Sequence, residues 1–202
     1  MSRRVIVALG GNLGDSAAIL AAAVREIASI PGVRIVVASR LYETPALTLE
    51  GMDETAPRFL NAALRLEVDG RLDPRRLLDE LRAIEDEAGR QRVVRWGSRT
   101  LDLDLIDVEG VEQEDRILTL PHPRAAERAF VLAPWLDVEP DGTVPGRGPI
   151  AVLREQAGDR VEAVGRLVLD DDGAVRALLD PAPSRREAVA PADARADGGG
   201  AR

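Results

Sequence analysis

Cysteine is absent from the 202 residues, which excludes disulfides, thiolate metal ligands and cysteine nucleophiles. Lysine is absent too, so all 27 basic side chains are arginine. That removes the Walker A lysine, Schiff-base chemistry and lysine cofactor anchors. The single histidine, His122, cannot build a multi-histidine zinc site within one chain. Aromatics make up 2% (Tyr42, Phe59, Trp96, Phe130 and Trp135), so aliphatic side chains must fill most of the core. No apolar run approaches the ~20 residues that span a bilayer. A net charge of −8 argues against general nucleic-acid binding and leaves room only for a local arginine patch. The N-terminus enters a strand pattern at once, without the apolar stretch and cleavage site of a signal peptide, so the reading is of a cytoplasmic protein with no membrane or nucleic-acid partner.

What is present is an ordinary globular balance, 45% hydrophobic and 31% charged, long enough for one domain plus extensions. Arg4–Leu9 reads as a buried strand ending in a tight turn at Gly10-Gly11, where the backbone approaches something closely. The spacing of Ile19, Leu20, Ala23, Val24 and Ile27 predicts a helix capped by Asp15 or Ser16 and stopped by Pro31-Gly32. Val33–Tyr42 is β-branched and reads as a second strand, followed by a loop over 44–57. Phe59–Val68 alternates as a third strand. Asp73-Pro74 starts a second helix with Leu77, Leu78, Leu81, Ile84 and Ala88 on its apolar face and Gly89 at its end. After an arginine-rich loop, Thr100–Val108 alternates strictly as a fourth strand.

The order β-α-β-β-α-β predicts an α+β, ferredoxin-like fold, with an antiparallel-rich sheet and both helices on one face. This domain is placed at 1–160. Residues 116–157, punctuated by proline, read as loops and short helices. Val161–Leu169 and Ala174–Leu179 suggest a hairpin extension within 161–180. The Pro-, Ala-, Arg-, Asp- and Gly-rich 181–202 reads as a disordered tail.

The sharpest constellation is Thr100-Leu101-Asp102-Leu103-Asp104-Leu105. On a strand, Leu101, Leu103 and Leu105 share the core face while Asp102 and Asp104 project from the other, with Cα atoms ~6.7 Å apart. Two parallel carboxylates repel unless a cation lies between them. All-oxygen donors suit Mg²⁺, and the pair could bridge two ions; a solvated acidic face is the alternative. Arg90, Arg92, Arg95 and Arg99 lie just before this strand, and guanidinium forks bind phosphate oxygens, or else pair with surface carboxylates. Adjacent metal-binding carboxylates and phosphate-binding forks are what a polyphosphate substrate requires. Pro121-His122-Pro123-Arg124 with Arg128-Ala129-Phe130 offers a further, weaker phosphate contact. Phe59, Asn61 and Phe130 suggest a planar heterocycle held between rings and read by an amide, against the plainer reading that both rings are core.

Together these segments resemble the 6-hydroxymethyl-7,8-dihydropterin pyrophosphokinase family of folate biosynthesis. The carrying pieces are Leu9-Gly10-Gly11-Asn12-Leu13-Gly14-Asp15, Tyr42-Glu43-Thr44-Pro45, Phe59-Leu60-Asn61, Arg95-Trp96-Gly97-Ser98-Arg99-Thr100-Leu101-Asp102-Leu103-Asp104 and Pro121-His122-Pro123. The resemblance implies transfer of pyrophosphate from ATP to the pterin hydroxymethyl group, with release of AMP. It implies that Asp102 and Asp104 hold two Mg²⁺ ions and that Arg90 and Arg99 contact the transferred phosphates. Thr44, Pro45, Leu47, Phe59, Asn61, Trp96 and Phe130 would form the pterin site. Glu85, Arg92, Thr119, His122 and Arg128 would line the ATP site. ATP and the pterin are the expected partners of a monomer or weak homodimer.

Overall fold

The computed structural model describes residues 1–48, 51–53, 57–89, 99–158, 160–170 and 175–180. Arg90, Arg92, Arg95 and Trp96, and the tail over 181–202, therefore lie outside the described residues, as does the Leu47 side chain.

The first half contains β1 (Ser2–Gly11), α1 (Ser16–Ser29), β2 (Val33–Ala38), β3 (Arg40–Thr44), the short β4 (Ala46–Thr48) and β5 (Gly51–Asp53), β6 (Phe59–Asp69) and α2 (Pro74–Glu87). The second half contains β7 (Asp102–Val108), β8 (Gln113–Glu114), β9 (Thr119–Leu120), a 3₁₀ turn at Ala125–Glu127 and α3 (Ala129–Val138). It closes with β10 (Thr143–Val144), β11 (Gly148–Pro149), α4 (Ile150–Gln156), β12 (Glu162–Leu169) and β13 (Val175–Leu179).

The helices start where the chemistry of their caps requires. The Asp15 carboxylate accepts the Ala18 N–H at 3.0 Å, and Asp73 accepts the Arg75 N–H at 2.8 Å, with Pro74 at the first helical position. The main sheet runs β13-β12-β3-β6-β1-β7, with β2 also paired to β6, and every described ladder in it is antiparallel. Its central strands take the order expected of a ferredoxin-like fold.

Alternation along the strands sorts side chains into two cores. Val5, Val7, Leu9, Leu64, Leu66, Leu101, Leu103 and Leu105 pack under α1 and α2, through Leu20, Val24, Ile27, Leu77 and Leu81. On the opposite face Ile6, Ala63 and Ile106 pack against Val131, Leu132, Trp135 and Val138 of α3 and Ile150 of α4. The two predicted helices do share a face; the cover on the second face is not foreseen from sequence. α3 is buried nearly all round and carries Pro134 in its interior, so it has neither the apolar stripe nor the uninterrupted run that marks a helix in sequence.

Three boundaries differ from expectation. β1 does not turn at Gly10-Gly11 but continues through both, paired to Asn61 and Leu60 of β6. The predicted strand over 33–42 divides at Ser39, whose hydroxyl accepts the Ala63 N–H at 2.8 Å and donates to the Arg40 carbonyl at 2.6 Å, substituting for regular pairing. The 44–57 region is not all loop, since β4 and β5 pair within it. The C-terminal hairpin forms and joins the main sheet: β12 pairs with β3, and Leu167 and Val175 enter the first core.

Candidate active site

One row of the sheet brings the predicted residues together. Gly10 pairs with Asn61 on one side and Asp102 on the other, and Asn61 pairs in turn with Tyr42. Directly paired residues share a face, so Asn61 and Asp102 stand on the α3 side of the sheet, flanking a position without a side chain. One step to one side of this row Thr44 pairs with Phe59, and one step to the other side Asp104 lies opposite Ala8. Thr44 and Asn61 are buried and joined, with Asn61 Nδ2 donating to Thr44 Oγ1 at 3.2 Å. Pro45 and Phe59 are half-buried beside them.

The charged groups gather at the β7 end of the row. Arg99 pairs with Asp102 through Nη1 and Oδ2. Burial raises the Asp104 carboxyl above the ordinary carboxylate range and the Asp102 charge raises it further, while His122, Arg128 and Arg99 pull it back. Burial lowers the His122 imidazole against the opposing pull of Asp104. Burial likewise lowers the Arg128 guanidinium, aided by Arg124. His122 is held by its backbone N–H to the Ile106 carbonyl at 2.7 Å, and its Nδ1 accepts the Arg124 N–H at 3.3 Å. Arg128 lies over the half-buried Phe130 ring, 5.4 Å from its centroid. His122 also lines a groove of about 400 Å³, together with Glu112, Glu114, Thr119, Pro121, Val144 and Arg147.

Asp102 and Asp104 offer hard oxygen donors, and a buried carboxyl raised by a neighbouring carboxylate is an arrangement that a divalent cation relieves. Among the described residues no group of three or more His, Cys, Asp or Glu gathers as a metal cluster. Phosphate oxygens and water would have to complete the shell, which is how Mg²⁺ is commonly held.

Glu85 stands apart from this cluster. It is 1% exposed and accepts the Leu103 N–H at 2.7 Å, so it grips β7 from α2 and does not line the Asp102–Asp104 face. Conversely, Asn12 belongs to a segment that carries the resemblance but was given no role from sequence. Its buried side chain accepts the Arg99 N–H at 2.8 Å through Oδ1 and donates to the Pro57 carbonyl at 3.2 Å through Nδ2. Its own N–H reaches the Arg99 carbonyl at 2.9 Å. The close approach expected at the glycine pair is real: a Cβ on Gly11 would lie 2.5 Å from the Thr100 carbonyl oxygen. The glycine pair, read as a tight turn after the strand, is the signal that pointed here; nothing in the sequence named the segment it meets.

Residues 6–140 match the family profile described as 7,8-dihydro-6-hydroxymethylpterin-pyrophosphokinase. The chain is 41% identical over 162 residues to the 2-amino-4-hydroxy-6-hydroxymethyldihydropteridine pyrophosphokinase of Methylorubrum extorquens, covering 79% of this chain and 99% of that protein. It is 40% identical over 140 residues to the enzyme of the same name from Bacillus subtilis, covering 68% of this chain and 79% of the relative. The wild-type Plasmodium falciparum HPPK-DHPS structure with pteroate matches in fold with a TM-score of 0.59 at 14% identity, covering 88% of this chain and 50% of that one. No helix among the described residues is long and apolar enough to cross a membrane.

Proposed function

Because the chain belongs to the 7,8-dihydro-6-hydroxymethylpterin-pyrophosphokinase family, we propose that it transfers the terminal pyrophosphoryl group of ATP to the hydroxymethyl oxygen of 6-hydroxymethyl-7,8-dihydropterin. The oxygen attacks the β-phosphorus, the bond from that phosphorus to the α-phosphate oxygen breaks, and AMP leaves with the electron pair. The acceptor proton passes to solvent or a site carboxylate.

The single observation that carries this reading is the row Asn61, Gly10, Asp102, with a polar slot for a flat ring at one end and the Asp102, Asp104, Arg99, His122 and Arg128 cluster at the other. Asp102 and Asp104 would hold the Mg²⁺ ions, two by family resemblance, which supply charge neutralisation to the polyphosphate. Thr44 fixes the Asn61 amide so that its carbonyl faces the slot. Phe59 and Phe130 supply ring faces. Arg99, His122 and Arg128 bind phosphate oxygens, and Thr119 lines the groove for the rest of the nucleotide. Half-burial of Arg128 and His122 excludes water and strengthens each charge contact. Arg90, Arg92, Trp96 and Leu47 complete the set by resemblance.

The test is product analysis. Protein, Mg-ATP and the pterin are mixed, and AMP, ADP and ATP are separated. AMP that appears only with the pterin is the expected result. ADP would discard the transferred group, and unchanged ATP from folded protein would overturn the reading in favour of a binding domain or another acceptor.

A further inference from the structure

We propose that the chain self-associates through β13, whose outer edge pairs antiparallel with the same strand of a second copy and joins the two sheets into one.

β13 ends the strand order, with β12 on its inner side. The Asp180 N–H donates to the Val164 carbonyl at 2.7 Å, directly across the hairpin. Bonded and non-bonded pairs alternate along an antiparallel ladder. Leu178 and Arg176 therefore bond to β12, while Val175, Ala177 and Leu179 turn their N–H and C=O groups outward. The Arg25 guanidinium meets the Val175 carbonyl there at 2.9 Å. The outward groups of Ala177 and Leu179 have no partner among the described residues. At the far end of the sheet, Glu85 covers the outward Leu103 N–H of β7. β13 carries no such cover beyond Val175, and an open edge is a template for another strand.

The strand's own sequence selects the occupant. Arg176-Ala177-Leu178-Leu179-Asp180 has opposite charges at its ends and, at its centre, a leucine that is 44% exposed. Laid antiparallel on a second copy about Leu178, it sets Arg176 opposite Asp180, Ala177 opposite Leu179, and Leu178 opposite itself. Ala177 and Leu179 are the residues with outward groups, so each such pair exchanges both its hydrogen bonds. Arg176, Leu178 and Asp180 share one face, in the non-bonded pairs that bring side chains closest. Asp180 is exposed and has no side-chain partner among the described residues. Arg176 holds Asp170 at 2.8 Å, yet its side chain is 65% exposed and can meet a second carboxylate. The next pair would set Val175, whose carbonyl Arg25 already occupies, against Pro181, which has no N–H. A register centred on Ala177 would need that Val175 carbonyl and would set Arg176 against Leu178.

The experiment uses the full chain. Sedimentation equilibrium from about 1 µM to 1 mM, the range suited to a joint this small, should show the mass rising from 21.7 kDa towards twice that value. D180R sets two arginines opposite each other and should stay monomeric, as should R176D with two aspartates. Mixing these variants pairs opposite charges at both ends, and the dimer should return. The chain has no cysteine, so L178C is a single-site probe. Non-bonded partners stand ~4.5 Å apart at Cα, within disulfide reach. Oxidised L178C should run as a covalent dimer, and V152C, equally exposed on α4, should not. If R176D melts low for want of its Asp170 contact, D180R and L178C decide. A wild type that stays at 21.7 kDa throughout, or an L178C that cross-links no faster than V152C, overturns the proposal. So does a dimer that survives in D180R, because its contact then lies on another face.

Discussion

The Glu85 carboxylate accepts the Leu103 backbone N–H at 2.7 Å, and Leu103 is the residue between Asp102 and Asp104. β7 ends the strand order, so a buried side chain from α2 holds its outer edge where the two carboxylates project from the far face. Replacing Glu85 with alanine strands that N–H, at a cost of roughly 1–3 kcal/mol. Glutamine keeps an acceptor oxygen and should cost less. Denaturant unfolding of E85A and E85Q measures this. A large rise in ATP KM in E85Q at unchanged stability would instead make Glu85 a nucleotide contact.

Asp104 is expected to trade stability for function. Its folded pKa is raised by burial and by Asp102, so the charged form opposes folding at neutral pH. D104N removes that charge and should melt at or above the wild type, while AMP release falls by orders of magnitude. D102N should lose turnover comparably, and it also loses the ion pair with Arg99. Near-normal turnover in either variant, at saturating Mg²⁺, would remove the carboxylate pair from the mechanism.

Legibility in the sequence followed the range of the interactions. Both helices under the sheet were readable because Asp15 and Asp73 act on N–H groups two or three residues away. The Leu-Asp alternation through 101–105 was readable because a strand has period two. Where a distant partner decides, the sequence was mute. Asn12 reaches Arg99 and Pro57, 87 and 45 residues away. The resemblance put Glu85 in the ATP site, and nothing in the sequence pointed to Leu103, 18 residues on, as the partner of its carboxylate. α3 falls among the short helices read over 116–157, but its extent and its place on the second face were not readable, because it is buried on so many sides that no periodicity survives.

The sequence offers an unusually clean alkaline titration. With one tyrosine, no lysine and no cysteine, Tyr42 is the only side chain other than arginine that titrates above about pH 9. Burial, and then the hydrogen bond it donates to Asp137 at 2.9 Å, push its phenol up to about 12. Asp137 is a carboxylate that burial would raise, but the Arg40 and Tyr42 hydrogen bonds outweigh this and hold it below its ordinary range. A folded pKa above the unfolded one gives stability that is complete below about pH 10 and is lost as pH rises through about 12, on the order of 2 kcal/mol. Tyrosinate absorbance should therefore rise late, and unfolding free energy should fall between pH 10 and 12. Y42F should lose that slope. An absorbance midpoint near pH 10 would show that the Tyr42–Asp137 bond does not persist in solution.

The C-terminal hairpin lies beyond the stretch that matches the family profile, yet it is built into the sheet. β12 covers the edge of β3, the strand that ends at Thr44, with Ala163 opposite Tyr42 and Glu162 opposite Glu43. Arg25 of α1 donates to the Val175 carbonyl at 2.9 Å, clamping β13. Ending the chain after Gly158 exposes the β3 edge and removes the buried Leu167 and Val175, together worth roughly 3–6 kcal/mol of burial. Against a typical total of about 5–15 kcal/mol, that variant should melt far below the wild type. The part that folds should show a raised pterin KM, because Thr44 then hangs on an edge strand. Ending the chain after Asp180 keeps every one of these contacts and should leave melting temperature and turnover unchanged. Melts and AMP release for the two truncations separate the cases: equal behaviour of the short and long chains would make the hairpin an ornament, and a loss in the longer one would assign a role to residues 181–202.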